Sequence, residues 1–220
     1  MPRRKEIFVV GEIYHILNRS LGGIPIFQDK NLANRFLKTI KYYLSSDSPT
    51  SYSHSDINFD DRDLTFSSTN DSVAILAYCL MPNHFHFILK QNKDNGIRIF
   101  IQKLINSYSH FYNLKNGRKG PLFEGTFKAV RVETEEQLLH LSRYIHLNPV
   151  SSYLVNHPKN YQYSSFSSYI GKDNPLEVDT TIIMSGFSSP KKYGEFVLSR
   201  RDYQRKLEEI KHLLKENPGS

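Results

Sequence analysis

Only Met81-Pro82-Asn83 separates two runs that both read as strands, Val73 to Leu80 and His84 to Lys90. For a gap that short a hairpin is the simplest connection, which sets the two strands antiparallel. The rest of the chain has to be arranged around that pair. Upstream, Ile7 to Leu17 is rich in β-branched and apolar residues and predicts a first strand. Leu32, Phe36, Ile40 and Tyr43 then fall at helical spacing between about Asp29 and Leu44, with Asp29 as N-cap. Downstream, Ile97, Ile101, Leu104, Ile105, Tyr108, Phe111 and Tyr112 form one stripe of a helix from Asp94 to Leu114, stopped by Asn116-Gly117. Leu122 to Val132 reads as a fourth extended segment. Thr134-Glu135-Glu136-Gln137 is a capping-box pattern that opens a late helix, and Pro149 predicts its end near Asn148.

The order β-α-β-β-α-β, followed by a helix, is the split βαβ pattern of ferredoxin-like and RNA-recognition-like domains. It predicts an α+β fold, an antiparallel sheet of four to five strands with helices packed on one face. Such a fold hosts many activities and names none. Ser45 to Ser72 is dominated by Ser, Asp, Asn and Thr and reads as a mobile surface insertion. The 220 residues suit one domain, residues 1–175, with a C-terminal extension over 176–220 that ends in a basic amphipathic stretch from Ser199 to about Lys215.

Charge narrows the partners. Lys and Arg total 29 against 22 Asp and Glu, a formal charge of +7, which favours a polyanion. The single cysteine, Cys79, excludes an intrachain disulfide and a cysteine-rich zinc site, and its apolar surroundings predict a buried, inert thiol. No apolar stretch approaches the ~20 residues that cross a bilayer. The block Ile7–Val10 is too short for a signal sequence. A cytoplasmic, nucleoid-associated protein is expected.

His84-Phe85-His86 is the triplet with the most chemistry. On a strand the two imidazoles share one side while Phe85 and Phe87 point to the other. Neutral imidazoles placed that way can be adjacent metal ligands; they can equally be ordinary polar residues of a strand. On the late helix Tyr144, Asn148 and His140 share a face, apart from an apolar stripe of Leu138, Leu141 and Ile145. With 14 tyrosines in the chain, spacing does not single out Tyr144, which by itself reads as packing or surface.

Three ordered segments carry a resemblance: Met81-Pro82-Asn83-His84-Phe85-His86, then Gly117-Arg118-Lys119-Gly120-Pro121-Leu122-Phe123-Glu124-Gly125, then Tyr144-Ile145-His146-Leu147-Asn148-Pro149-Val150. Together with the early Tyr14-His15-Ile16-Leu17-Asn18-Arg19, they make the span from about Glu12 to Gly171 resemble the single-tyrosine HUH transposases, in particular the REP-associated tyrosine transposase branch. The resemblance implies a metal pair at His84 and His86, a nucleophile at Tyr144 and a third ligand at Asn148. It implies single-stranded DNA beside a hairpin as substrate, a 5′-phosphotyrosine intermediate, and Mg²⁺ or Mn²⁺ as cofactor, although imidazoles suit Zn²⁺ at least as well. Arg19, Lys103, Arg118, Lys119, Lys128, Arg131 and Arg143 are candidate phosphate contacts. Phe123 and Phe127 can stack bases, with core packing the commoner fate.

Two departures from the family pattern stand out: Thr126 where relatives commonly carry Arg, and the length of the Ser45–Ser72 insertion. Two other classes compete, an idle single-stranded nucleic-acid binder on the same fold and a small metallohydrolase that uses water in place of Tyr144. A covalent protein–DNA adduct distinguishes all three. The acting unit is a monomer or a homodimer.

Overall fold

Four strands form one antiparallel sheet in the computed structural model, which describes residues 7–44 and 72–207. They are β1 (Ile13–Arg19), β2 (Val73–Met81), β3 (His84–Gln91) and β4 (Lys128–Val132), in the order β2-β3-β1-β4. This is the ferredoxin-like arrangement. Helix α1 (Lys30–Leu44) connects β1 to β2, and α2 (Gly96–Lys115) connects β3 to β4. The predicted hairpin is present, with Met81 opposite His84 across Pro82-Asn83. All of the Ser45–Ser72 insertion but its last residue lies outside the described residues, as does the end of the basic stretch beyond Leu207.

Two strands start later than their sequence predicts. The first strand begins at Ile13 because the chain turns at Val10-Gly11, where Gly11 takes a φ of 89°. The fourth extended segment shortens to β4, leaving Leu122 and Phe123 as buried anchors of an irregular loop.

The sheet is covered on both faces, not on one. Tyr14, Ile16, Phe85, Phe87 and Leu89 point to the layer of α1 and α2, where Phe27, Phe36 and Tyr108 pack against them. Helix α3 (Glu135–Ser151) lies on the opposite face, with Ile145, Leu147 and Val150 against Ala77, Cys79 and Ile88. Short helices α4 (Phe166–Tyr169), α5 (Thr181–Met184) and α6 (Pro190–Leu198) complete that second core through Phe166, Tyr169, Ile183, Tyr193 and Val197. Thr134 caps α3 as its sequence predicts: its side chain accepts from Gln137 N, while Gln137 Oε1 accepts from Glu133 N. The helix does not stop at Asn148 but runs through Pro149 to Ser151. Proline removes the donor to the Ile145 carbonyl; one residue earlier, the Tyr144 carbonyl accepts from the side-chain amides of Gln204 and Asn148.

Residues 161–179 seal the outer edge of β2. Leu80 N donates to Tyr163 O, Ser165 N to Tyr78 O and Asp179 N to Ile75 O. Tyr161 and Tyr169 donate their hydroxyls to Leu80 O and Leu76 O. An edge strand covered this way can be almost wholly apolar without offering a row of open backbone groups, which accounts for the near-continuous burial of β2.

A buried polar chain ties α3 to that cover. His146 is fully buried, with Nδ1 2.7 Å from Tyr193 Oη and Nε2 2.8 Å from Ser165 Oγ. Tyr193 Oη donates to Ser142 Oγ, so it accepts from His146 Nδ1–H. Ser165 Oγ in turn accepts from the Tyr78 amide on β2. Burial pushes the His146 pKa down to about 3.

Between pH 6.5 and 3 an unfolded His146 carries a proton that the folded one does not, so stability falls as pH falls through that window. A shift of this width corresponds to on the order of 4–5 kcal/mol, comparable with the whole stability of many domains. Thermal midpoints should therefore drop steeply from pH 7 toward pH 4. His146→Gln should lower the midpoint at pH 7 yet flatten its decline with acid. An equally steep acid limb in that variant would show that other groups govern it.

Candidate active site

The strand register decides which side chains can meet. Across β1 and β3, Leu17 stands opposite His86 and Arg19 opposite His84. His84 and His86 therefore rise on the α3 face of the sheet, as their alternation with the two buried phenylalanines predicts. Their ring centroids are 5.0 Å apart, edge to face. Tyr144 comes down from α3 so that its ring meets that of His86 at 5.9 Å and 88°. A tyrosine that spacing could not select from its sequence alone thus joins the histidine pair.

Hydrogen bonds orient both imidazoles. His84 Nδ1 is 2.7 Å from Asn83 Oδ1, and an amide oxygen only accepts, so Nδ1 carries the proton. Nε2 of His84 is then the lone-pair nitrogen. His86, which is almost completely buried, has Nδ1 3.0 Å from Nε2 of His15, the two rings edge to edge with centroids 5.2 Å apart and planes within 12°. Burial lowers the His15 pKa to about 4, so this histidine is neutral at neutral pH. His15 is the member of the site that the sequence reading missed. Its signal was the same as that of His84 and His86, an imidazole in an otherwise apolar strand.

Asn148 is buried one turn beyond Tyr144 on the same helix, and its Nδ2 donates to the Tyr144 carbonyl. Two imidazoles on one sheet face are a donor pair of a kind that a divalent cation takes, and an amide oxygen such as Oδ1 of Asn148 is a hard donor that can join them. Among the described residues no three His, Cys, Asp or Glu side chains gather as a metal site.

The basic candidates scatter. Arg19 and Lys128 stand on the histidine face, and with Leu17, Asn18, Glu124 and Thr126 they line a cavity of about 240 Å³. Asn18 Nδ2 has no hydrogen-bond partner among the described residues. Arg131 stands opposite Tyr14, on the other face, and forms a bidentate pair with Glu12. Lys103 belongs to that α1–α2 layer too, its ammonium 5.9 Å from the Tyr43 ring centroid. Arg143 lies 4.4 Å over the ring of Phe196. Arg118 is folded back into its own loop, donating to Asn113 Oδ1 and to the carbonyls of Gly120 and Pro121, while Lys119 beside it is exposed.

Other aromatic candidates belong to the core. Tyr108, a conceivable alternative nucleophile, is fully buried and donates its hydroxyl to Ile26 O, with burial raising its pKa. Phe123 packs edge-on against Phe85, and Phe127 lies against Phe8. Cys79 is buried and free, its thiol pKa raised by desolvation. Among the described residues no helix is long and apolar enough to cross a membrane.

Residues 64–148 match the family model described as IS200-like transposase, a span that contains His84, His86, Tyr144 and Asn148. No curated protein sequence matches the chain. Among solved structures, a REP-associated tyrosine transposase bound to a REP hairpin aligns over 82% of this chain and 94% of its own, at 14% identity and a TM-score of 0.54. At that identity the likeness shows the fold. A Deinococcus radiodurans protein, given as a transposase by inference, aligns over 65% of this chain and 95% of its own, at 13% identity and a TM-score of 0.39.

The contrast between neighbours in the loop is testable. Arg118→Ala removes a charged donor from three acceptors and should lower stability by roughly 1–3 kcal/mol. Lys119→Ala should stay within about 0.5 kcal/mol of the parent. Urea midpoints measure both, and a neutral Arg118→Ala would mean that the loop holds without its guanidinium.

Proposed function

We propose that this chain, which resembles the IS200-like transposases, cuts and rejoins single-stranded DNA through a covalent bond to Tyr144. The observation that carries the reading is the meeting of Tyr144 with His86, from a helix and a strand far apart in sequence, on the face that also bears His84.

His84, His86 and Oδ1 of Asn148 are the residues that would hold a divalent cation, Mg²⁺ or Mn²⁺. Bound there, such a cation supplies Lewis-acid polarisation of the scissile phosphate. Tyr144 Oη attacks phosphorus and gives its proton to solvent. The bond from phosphorus to the 3′ oxygen breaks, and that oxygen takes up a proton. The products are a 5′-phosphotyrosine and a free 3′-hydroxyl. Because one phosphodiester has replaced another, a 3′-hydroxyl can attack the phosphotyrosine and rejoin the strand, which hydrolysis would forbid. Arg19 and Lys128, which line the cavity on the side of His84, are the cations that would hold the phosphates leading to the cut. The solved relative is bound to a REP hairpin, and DNA with a hairpin beside the cut is the substrate proposed for this chain as well.

Tyr144→Phe removes only the attacking oxygen. With a labelled hairpin oligonucleotide it should give no covalent adduct on a denaturing gel while binding DNA almost as the parent does. Wild-type adduct yield in this variant would place the nucleophile elsewhere, and strand cleavage with no adduct in the parent would favour attack by water.

His84→Ala with His86→Ala, or EDTA on the parent, should abolish cleavage, and added Mn²⁺ should restore the EDTA-treated parent alone. Binding should weaken steeply with salt, and Arg19→Glu with Lys128→Glu should flatten that slope by about one to two phosphate contacts. Full cleavage in EDTA would refute the cation.

A further inference from the structure

The histidine pair is gripped from behind in two different ways. At His84 the grip is local, from the neighbouring Asn83. At His86 it comes from another strand. His15 stands opposite Ile88 in the register, so it meets His86 diagonally, leaning along β1 to bring Nε2 within 3.0 Å of His86 Nδ1. The two rings lie nearly parallel, 12° apart. A bond between two imidazole nitrogens needs one N–H and one bare nitrogen. If His86 donates from Nδ1, its Nε2 is bare and able to coordinate; if His15 donates, the His86 proton sits on Nε2 and coordination there is blocked.

We propose that His15 is a positioning residue, which accepts the Nδ1–H of His86 and so fixes the tautomer and ring angle in which His86 offers Nε2 to the divalent cation. The inference rests on the metal reading given above. His15 lies outside the span that matches the family model; it enters through the sheet register alone. Turned toward His86, its Nε2 is committed to that nitrogen and not to the cation. Partners that orient a ligating histidine commonly alter metal affinity by about 10–100-fold when removed.

The test is a calorimetric titration of the DNA-free, full-length protein with Mn²⁺, alongside ¹⁵N NMR of the imidazoles in the metal-free state. His15→Phe keeps a flat aromatic ring on the strand and removes the acceptor, and should weaken Mn²⁺ binding about 10–100-fold. His15→Gln restores an amide oxygen near the same place and should recover most of that loss. Parent-like Mn²⁺ affinity in His15→Phe overturns the proposal. So does an equal loss in Phe and Gln variants, which would mean packing or direct ligation. The NMR spectrum of the parent should show His86 protonated at Nδ1; protonation at Nε2 overturns the proposal even if the variants fail to fold. A parent that binds no Mn²⁺ but shows the Nδ1–H tautomer, lost in His15→Phe, would refute the metal reading and leave the orienting bond standing.

Discussion

Everything at the site depends on the pairing register of β1 with β3. With Leu17 opposite His86 and Arg19 opposite His84, both imidazoles stand on the face below α3 while Phe85 and Phe87 enter the aromatic cluster of Phe27, Phe36 and Tyr108. A slip of one residue inverts every side chain of a strand. In β3 it would drive two imidazoles into that cluster and expose two phenyl rings, at a cost of several kcal/mol for the apolar area alone. The aromatic core on one face is thus what holds the polar constellation on the other, and packing rather than any polar contact sets the position of the two imidazoles.

Helix α3 meets a second constraint of the same kind. Tyr144 and His146 are two residues apart and so point in different directions. Tyr144 reaches the histidines, whereas His146 is engulfed between Tyr193, Ser165, Phe166 and Tyr169. Each polar atom of that buried ring has a partner, which a low-dielectric interior requires. Rotation of the helix about its axis would move Tyr144 away from His86 only by breaking the His146 bonds. The elements after α3 therefore fix the angle of the helix, and through it the height of the tyrosine above the sheet. Gln204 and Arg205, from residues 201–207, add bonds to the carbonyls of Tyr144 and Val150 in the same helix.

Much of this was legible because it is written in local periodicity. The alternation of His84, Phe85, His86 and Phe87 dictated two faces, the short gap at Pro82-Asn83 dictated a hairpin, and Asp29 and Thr134 cap their helices through bonds to residues two or three positions on. What failed to show is what depends on distance. Pro149 suggested an end to α3, yet the last turn continues to Ser151 with Leu147 and Val150 buried in the second core, and no local rule anticipates that packing. The cover over the second face of the sheet comes from loop-rich sequence after residue 151, whose aromatic residues show no single period. Arg118 shows no partner in the sequence; the Asn113 side chain and the loop carbonyls that it bonds are in place only once the chain has turned. His15 carried the right chemistry, but its meeting with His86 is diagonal and follows from register alone.

The uneven cover of the sheet also decides how a strand of DNA would approach. On the histidine face, α3 and α4–α6 wall off the side of β2 and β3, and residues 161–179 close its edge. The β4 side is open: Lys128 and Val130 are exposed there, and charged residues on an exposed edge also discourage pairing with another chain. Of the seven basic residues that sequence proximity assembled, Arg19 and Lys128 share this open side with the histidines, and Thr126 completes the wall of their cavity. Net charge of +7 acts over a Debye length of about 8–10 Å at physiological salt and draws a polyanion to the surface as a whole. Orientation is short-ranged and falls to the few cations whose faces match the ligands. Under the proposed reading, a backbone entering along β4 meets Lys128, opposite Leu17, and then Arg19, opposite His84, in the order that the strand register lays down. The same register that buries the phenylalanines would then direct the substrate.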